Sequence, residues 1–306
     1  MRQSSHISAL AMAGLIASTA LSATHAMADE AWRAQNPIFV IGVARDSSAP
    51  RGAEQYERFR RVVEQAINMP VDIFVGANLA SLIDAHASGR VDYAAMPLLG
   101  YYTANSLCDC SEPLVAPTTE DGATGIRSVL LVKPGTVNRI GDLSGRTIAY
   151  GPAASLHGSL VPQVEFLFDG KPLMQSGLSL VETDSFEATL ALLNAGEADA
   201  AFGWSYANAN TTATFDDSFA TRAKQSYNMD LVPLWESQAL PLGPHLIGRD
   251  VPDSIKRALR ETMLSLHTQH PLAFDEISPQ LAGPLRSVNA FEYREALTII
   301  DQAQPR

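Results

Sequence analysis

The sequence is short of basic side chains, of cysteine and of long hydrophobic runs. Its 306 residues carry 22 Lys and Arg against 33 Asp and Glu, a formal net charge of −11. No basic stripe interrupts this acidic background, so nucleic acid is excluded as an expected partner. Beyond the amino-terminal segment, no run approaches the ~20 apolar residues that cross a bilayer. We therefore expect a soluble chain after its amino terminus.

The sequence also lacks the short motifs of the common hydrolases and nucleotide-binding enzymes. It contains no G-x-S-x-G, no H-E-x-x-H and no Gly-Lys phosphate loop. Cys108 with a distant histidine could imitate a thiol hydrolase. The neighbouring Asp109 would raise the pKa of that thiol rather than activate it. We predict that the protein is not an enzyme and needs no cofactor.

The amino-terminal segment is predicted to be a cleaved export signal. Arg2 and His6 supply a weakly basic start, residues 7–23 are small and apolar, and residues 26–28 read Ala-Met-Ala, an A-x-A cleavage pattern. Cleavage after Ala28 delivers the chain to the periplasm. An uncleaved amino-terminal anchor is the alternative.

The two cysteines that are present, Cys108 and Cys110, lie two residues apart. A disulfide between them would close almost no loop and remove little unfolded-state entropy, and exported proteins mostly pair distant cysteines. The pattern favours a sulfur that binds a ligand over a structural staple. The alternative is a small buried hydrophobic side chain. On an extended strand the two side chains would point to one face and could share a ligand.

Strand-like and helix-like segments alternate along the chain. In the first part, strands are predicted at 37–43, 71–75 and 91–95, with helices at 56–67 and 79–87. This order is typical of parallel strands joined by crossover helices.

A second copy of the pattern follows. Strands are predicted at 129–132, 147–150 and 198–202, with helices at 156–168 and 186–195. A helix–Gly–x–x–Asp–strand plan at 81–96 recurs at 188–203. We predict two α/β lobes, each with a mixed, mainly parallel sheet flanked by helices, and a ligand crevice between them at the strand ends. Two ordinary helix-to-strand turns are the alternative explanation of the repeat.

Five short blocks carry a resemblance to a known family. They are GRVDYAAMPLLGYYTA (89–104), EPLVAP (112–117), IGDLSGRTIAYGPAASLHGSLVP (140–162), NAGEADAA (194–201) and LVPLWESQALPLGPHLI (231–247). In order and spacing they resemble periplasmic solute-binding proteins of the phosphate/phosphite/phosphonate group, which have the type 2 fold. The resemblance implies two hinge strands, near 118–128 and 230–234. Lobe 1 would comprise 29–125 and 233–306, lobe 2 would comprise 126–232, and 1–28 would be the signal peptide.

The turn that would hold an oxyanion departs from that family's pattern. The family usually offers Pro-Ser-Ser-Thr-Ser-Gly at a helix start, where hydroxyls and backbone N–H groups hold the anion. Here residues 152–158 read Pro-Ala-Ala-Ser-Leu-His-Gly, and the usual Ser-His of the next helix is Ser185-Phe186. A tetrahedral dianion would be desolvated with too few donors. The departures favour a small neutral ligand that binds thiols.

One branch of the family fits that description. In length, in its signal peptide and in a cysteine just before the EPL block, the chain is similar to the arsenite-sensing periplasmic proteins that partner the arsenite-oxidase two-component system. The resemblance assigns the functional cysteine to Cys108, with Cys110 as the adjacent candidate, and implies that a thiol in the inter-lobe region binds As(III). The implied partner is the periplasmic domain of a membrane histidine kinase. The alternative is the substrate-binding subunit of an ABC importer for phosphonate, phosphite or a related oxyanion, whose partner is a permease.

Four further side chains are candidates for ligand contact. Tyr101 matches the Tyr of the family's Gly-Pro-x-Ser-Tyr loop, and Ser155 and His157 lie in the altered turn. Trp204 follows a predicted strand at the crevice. The alternatives are a helix-capping role for Tyr101, a solvated loop position for His157 and packing within a lobe for Trp204.

Overall fold

A computed structural model describes residues 27–45, 52–207, 218–277 and 281–303. Most of the predicted export signal therefore lies outside the described residues. Residues 27–35 form helix α1, whose Trp32 packs against the first lobe. Within the described ranges, no helix combines the length and the apolar character needed to cross a membrane.

The predicted strands and helices are present, together with elements that the sequence did not predict, such as the helix Leu98–Cys108. The strands are β1 Phe39–Ala44, β2 Val71–Gly76, β3 Tyr93–Ala95, β4 Ser111–Thr119, β5 Gly125–Val132, β6 Thr147–Tyr150, β7 Leu167–Phe168, β8 Lys171–Pro172, β9 Ser179–Glu182, β10 Ala200–Ala207, β11 Val232–Glu236, β12 Leu240–Pro241, β13 His245–Gly248 and β14 Ala282–Ser287. The helices are α2 Glu57–Ile67, α3 Leu79–Ala87, α4 Leu98–Cys108, α5 Val161–Glu165, α6 Phe186–Ala195, α7 Phe219–Tyr227, α8 Asp253–Gln269, α9 Pro271–Ile277 and α10 Ala290–Ala303. A π-helical turn over Leu156–Leu160 leads into α5.

The first lobe is built on a sheet with the strand order β14-β4-β13-β3-β1-β2. Strands β1, β2 and β3 are parallel, while β13 runs antiparallel to its neighbours β3 and β4. The carboxyl ends of β1, β2, β3 and β4 and the start of β13 therefore share one edge, which we call the crevice edge. The start of β4 and the end of β13 share the opposite edge, which we call the far edge.

The second lobe is built on a sheet with the order β11-β5-β10-β6-β9. Strands β6 and β9 are parallel to one another and to β10, whereas β5 is antiparallel to β10. The carboxyl ends of β6, β9 and β10 lie together and face the first lobe's crevice edge. The predicted two-lobed α/β architecture is thus confirmed.

Two crossings join the lobes. Strand β4 leads directly to β5 through residues 120–124, as predicted. The second crossing lies later in the chain than expected, because β11 and β12 both still pair with β5 of the second sheet. The chain returns to the first sheet only at β13, so the predicted boundary at residue 233 is corrected to residues 242–244.

The carboxyl-terminal helix holds the two lobes in contact. The buried hydroxyl of Tyr293 on α10 donates to the carbonyl of Leu242 at the second crossing, at 3.0 Å. Leu156, Val161 and Val164 of the second lobe pack into the same apolar cluster as Tyr293. The turn that carries the candidate ligand residues is therefore anchored against the first lobe.

Candidate functional site

The strand ends of both lobes form the crevice. In the first lobe, Asn78 caps α3 just after β2, and Pro97 precedes α4 just after β3. In the second lobe the crevice edge carries residues 151–159 after β6 and Ser185, which caps α6 after β9. Gly243 of the second crossing lies against the start of α4, and a Cβ there would lie 2.3 Å from the carbonyl oxygen of Met96. This contact requires glycine.

Several backbone N–H groups of the turn after β6 are already hydrogen-bonded. The Ser155 hydroxyl accepts from Gly158 N at 3.1 Å, and the Ser155 carbonyl accepts from the backbone of Ser159 and Leu160. Ala153 N donates to a carboxylate oxygen of Glu182 at 3.1 Å. The N–H groups of Ala153, Gly158, Ser159 and Leu160 are thus paired within the second lobe, and the Glu182 carboxylate lies beside the turn. A carboxylate at this position would repel an anion bound at the turn.

An aromatic ring covers the same turn. A Cβ on Gly158 would lie 2.7 Å from the ring of Phe186, and one on Gly151 would lie 3.1 Å from it. The Phe186 ring packs edge-on against Trp204, with centroids 4.5 Å apart, and Trp204 also packs against Phe219 at 5.5 Å. Trp204 therefore packs within an aromatic cluster of the second lobe, which is the alternative to ligand contact given above.

His157 lies at the centre of the turn and presents an unusual nitrogen. Its Nδ1 is buried and has no hydrogen-bond partner among the described residues. Burial lowers the pKa of His157 to about 3, so the ring is neutral at pH 7. Ser155 and His157 are thus brought together, but Ser155 serves as a helix cap rather than as a free ligand group.

The two cysteines lie elsewhere. Cys108 ends α4 and Cys110 directly precedes β4, so the condition under which both side chains would point to one face of an extended strand is not met. Helix α4 starts at the crevice edge and spans 11 residues, which at ~1.5 Å per residue carries Cys108 about 16 Å along its axis, to the far edge. The prediction of a thiol in the inter-lobe region is corrected accordingly.

Cys108 and Cys110 form a disulfide, with Cα atoms 5.0 Å apart. The sequence pattern favoured a ligand-binding sulfur over a disulfide, but in this structure the two sulfurs are bonded to each other. The residue between them, Asp109, adopts a left-handed conformation with φ 45° and ends α4, and that tight reversal brings the two side chains together. The sulfur of Cys110 also lies 3.9 Å from the carbonyl oxygen of Ala87, at the end of α3.

Tyr101 does not reach the crevice. It is buried in the first lobe and packs edge-on against Tyr293, with ring centroids 5.4 Å apart. Burial raises the pKa of its hydroxyl. Tyr101 thus helps to dock α10 on α4, which is neither the ligand contact nor the helix cap predicted.

Sequence reasoning missed two polar side chains near the cysteines. His86 is 2% exposed and Ser111 is fully buried, and both His86 Nε2 and Ser111 Oγ lack hydrogen-bond partners among the described residues. His86 falls on the apolar side of α3 with Leu82 and Ile83, and that periodic position was the available signal. No described group of three or more His, Cys, Asp or Glu side chains is arranged to hold a metal ion.

The sequence matches the model of a protein family described as "ABC transporter, phosphonate, periplasmic substrate-binding protein" over residues 41–283. This range includes both crossings and most of both lobes. Residues 284–303, with helix α10, lie beyond it.

Solved structures show the same fold at low sequence identity. The binding-protein component of an ABC phosphonate transporter from Pseudomonas aeruginosa is 16% identical, with a TM-score of 0.56 over 88% of this chain and 87% of that chain. PhnD1 from Prochlorococcus marinus, in complex with methylphosphonate, is 15% identical, with a TM-score of 0.56 over 87% and 98%. A Xanthomonas citri protein bound to ATP is 15% identical, with a TM-score of 0.63 over 87% and 98%.

Proposed function

This chain belongs to the family of phosphonate-type periplasmic substrate-binding proteins of ABC transporters, and we propose that within it the chain serves as an arsenite-binding sensor. The observation that carries the proposal is the pair of sulfurs at Cys108 and Cys110, held 5.0 Å apart at Cα. Two thiols at this spacing can bond to the same arsenic atom. Arsenite is then the ligand and no cofactor is involved.

The altered turn after β6 supports the choice of ligand class. A phosphonate or phosphite carries negative charge and needs several donors once it leaves water. Here the Ser155 hydroxyl accepts from Gly158 N, the Glu182 carboxylate accepts from Ala153 N, and Phe186 covers the two glycines of the turn. Arsenous acid is uncharged near neutral pH, so it does not need several hydrogen-bond donors when it leaves water.

The chemistry requires the reduced form of the cysteines. A thiol reductant, such as a protein dithiol that works by exchange, must first open the disulfide. Arsenous acid then condenses with the two thiols: two As–S bonds form, two As–OH bonds break, and the two thiol protons leave with the hydroxyls as two waters. Arsenic stays trivalent throughout this step. The product keeps one hydroxyl on arsenic.

The position of the pair shapes the proposed signal. Cys108 ends α4, Cys110 touches the end of α3, and Asp109 pairs with Arg249 just after β13. Ligand binding at this far edge would rearrange the ends of these elements within the first lobe. We propose that the periplasmic domain of a membrane histidine kinase recognises the rearranged surface.

Titration calorimetry on the phosphine-reduced protein tests the proposal. Arsenite should bind with a stoichiometry near one, whereas phosphite and methylphosphonate should give no heat of binding. The oxidised protein, still carrying its disulfide, is the matched control and should not bind arsenite. Methylphosphonate binding without any arsenite response would refute the proposal.

That refuting outcome would favour the second candidate, the substrate-binding subunit of an ABC importer. The family match supports it, because it covers both lobes and their crossings. Ser155 also keeps one hydroxyl at the helix start where a small oxyanion would sit. Its partner would be a permease, and its ligand would bind in the crevice.

A further inference from the structure

The far edge of the first sheet contains two buried polar atoms whose hydrogen-bonding capacity is unused. His86 Nε2 and Ser111 Oγ are both buried without a partner among the described residues. Buried polar groups in proteins are almost always hydrogen-bonded, because a buried group without a partner loses its hydrogen bonds to water and forms none to replace them. Each atom therefore has hydrogen-bonding capacity that a bound group could satisfy.

Both residues are chain neighbours of the cysteine loop, residues 108–110, or of a residue in contact with it. Ser111 follows Cys110 directly, and the sulfur of Cys110 approaches the carbonyl of Ala87, the residue after His86. Glu112 forms an ion pair with Lys256 of α8 on one face of the sheet. Because side chains alternate along a strand, Ser111 faces the other side. Helices α3 and α4 pack on that side.

The hydrogen bonds of His86 fix the chemistry of its free nitrogen. His86 Nδ1 lies 3.0 Å from the carbonyl oxygen of Val91. A carbonyl can only accept, so Nδ1 carries the proton and Nε2 presents a lone pair. Burial lowers the pKa of His86, which keeps the ring neutral. A lone pair in a dry site needs a donor, and a fully ionised oxyanion has none to offer.

We infer that His86 and Ser111 are positioning residues for the hydroxyl group that remains on arsenic when a trivalent arsenical is bound by Cys108 and Cys110. This inference rests on the proposed function and deepens it. The arsenic hydroxyl donates to His86 Nε2, while the Ser111 hydroxyl donates to the oxygen of that same group.

Two arsenicals separate this role from a structural one. Arsenous acid bound by two thiols retains one hydroxyl. Phenylarsine oxide, which condenses with two thiols and releases one water, retains none. Both would use the same sulfurs, so a residue that acts on the hydroxyl affects only the first ligand.

The experiment measures the affinity of the reduced full-length chain for both arsenicals. Ser111→Ala and His86→Asn, whose amide can still donate to Val91 O, should each weaken arsenite binding roughly tenfold. Both should leave the affinity for phenylarsine oxide within about twofold, since that complex has no hydroxyl to position. Ser106→Ala is the matched control, because its exposed hydroxyl bonds only within α4, to Tyr102 O.

Stability supplies a second readout. Ser111→Ala removes a buried orphan hydroxyl, so its melting temperature should equal or exceed that of the wild type while its arsenite affinity falls. Equal weakening for both arsenicals, or unchanged arsenite affinity in both variants, would overturn the inference while wild-type binding upheld the proposed function. If the reduced wild-type protein bound neither arsenical, the proposed function and this inference would fail together.

Discussion

Arg249 pairs with Asp109, the residue between the two cysteines, at 2.9 Å. The same arginine also donates from its backbone N to the Cys110 carbonyl at 2.8 Å and from Nε to the Ser111 carbonyl at 3.2 Å. The cysteine loop is therefore fastened to the end of β13. The ion pair is largely exposed and contributes little stability by itself. The cysteine loop is therefore attached to the end of β13 mainly by the hydrogen bonds from Arg249 to backbone carbonyls.

Removing this side chain should loosen the cysteine loop. We expect Arg249→Ala to lower the free energy of unfolding by only about 1 kcal/mol but to speed the reduction of the disulfide by a phosphine. Mass spectrometry of thiols alkylated over time measures that rate. Arg139→Ala, which breaks an exposed pair with Asp142 elsewhere, is the control. A reduction rate equal to the control's would show that Arg249 does not restrain the loop.

Replacing one sulfur should abolish ligand binding and spare the fold. Cys108→Ser leaves a single thiol, which cannot hold arsenic at two points, and the loop that the disulfide closes is too short to constrain the unfolded chain much. Calorimetry should show no arsenite binding, and the melting temperature should change by about 2 °C or less. A sharp fall in melting temperature with binding intact would mean that Cys108 is structural.

A crevice substitution locates the ligand. Phe186→Ala removes the ring that covers the turn and packs on Trp204, and it should destabilise the protein by about 2–3 kcal/mol, as read from urea unfolding. Because the cysteines lie at the far edge, arsenite affinity should not change. Loss of arsenite binding in a variant that remains folded would instead place the ligand in the crevice.

The pH dependence of stability should carry the signature of His245. This residue is buried at the start of β13, with its Nδ1 2.5 Å from the Tyr93 hydroxyl, and burial lowers its pKa to about 4. Between pH 6.5 and 4 the unfolded chain binds a proton that the folded protein excludes. His245 should therefore contribute a fall in stability of up to about 3 kcal/mol as pH drops through this window, and no change above it. His157, whose pKa burial lowers to about 3, adds to this fall, whereas Asp92, whose pKa burial raises to about 6, opposes it.

The variant His245→Asn isolates that contribution. Urea midpoints measured from pH 4.5 to 7.5 should fall less steeply for this variant than for the wild type. The exposed His270→Asn is the control and should follow the wild type. Parallel curves for wild type and His245→Asn would show that His245 does not set the acid sensitivity.

Arsenite should change the overall dimensions little. The proposed contacts, from His86 to Ser111, all lie in the first lobe, and a ligand shifts an equilibrium only through its differential affinity for the two states. Small-angle scattering of the reduced protein should give nearly the same radius of gyration with and without arsenite, whereas cross-linking to the kinase's periplasmic domain should change. A clear compaction would point to lobe closure and the importer mechanism.

The sequence predicts best those helices whose ends are marked by a capping residue or a terminating glycine. Helices α3 and α6 match their predicted bounds, because Asn78 and Ser185 cap their starts and Gly196 ends α6 in a left-handed conformation. The predicted helix at 156–168 is shorter, since a π-helical turn opens it and Phe166 is already extended. No periodic signal marked that distortion.

The candidate site was harder to foresee. The resemblance implied a thiol in the inter-lobe region, and helix α4, which carries Cys108 away from it, was not predicted between β3 and the EPL block. The apolar residues of α4 are spread around the helix rather than confined to one face, so the sequence shows little helical periodicity there. The close approach of Cys110 to the end of α3 and the burial of Ser111 depend on contacts between distant segments. Such contacts are invisible to local patterns.

The interleaving of β13 between β3 and β4 bears on how the chain acquires its shape. The sheet of the second lobe comes from one continuous stretch, β5 to β11, so it can assemble by itself as soon as that stretch is available. The first sheet cannot, because β4 has no neighbour to join it to β3 until the later segment returns. We expect the second lobe to fold first, leaving the cysteine loop open to oxidation or reduction before the first lobe closes around it.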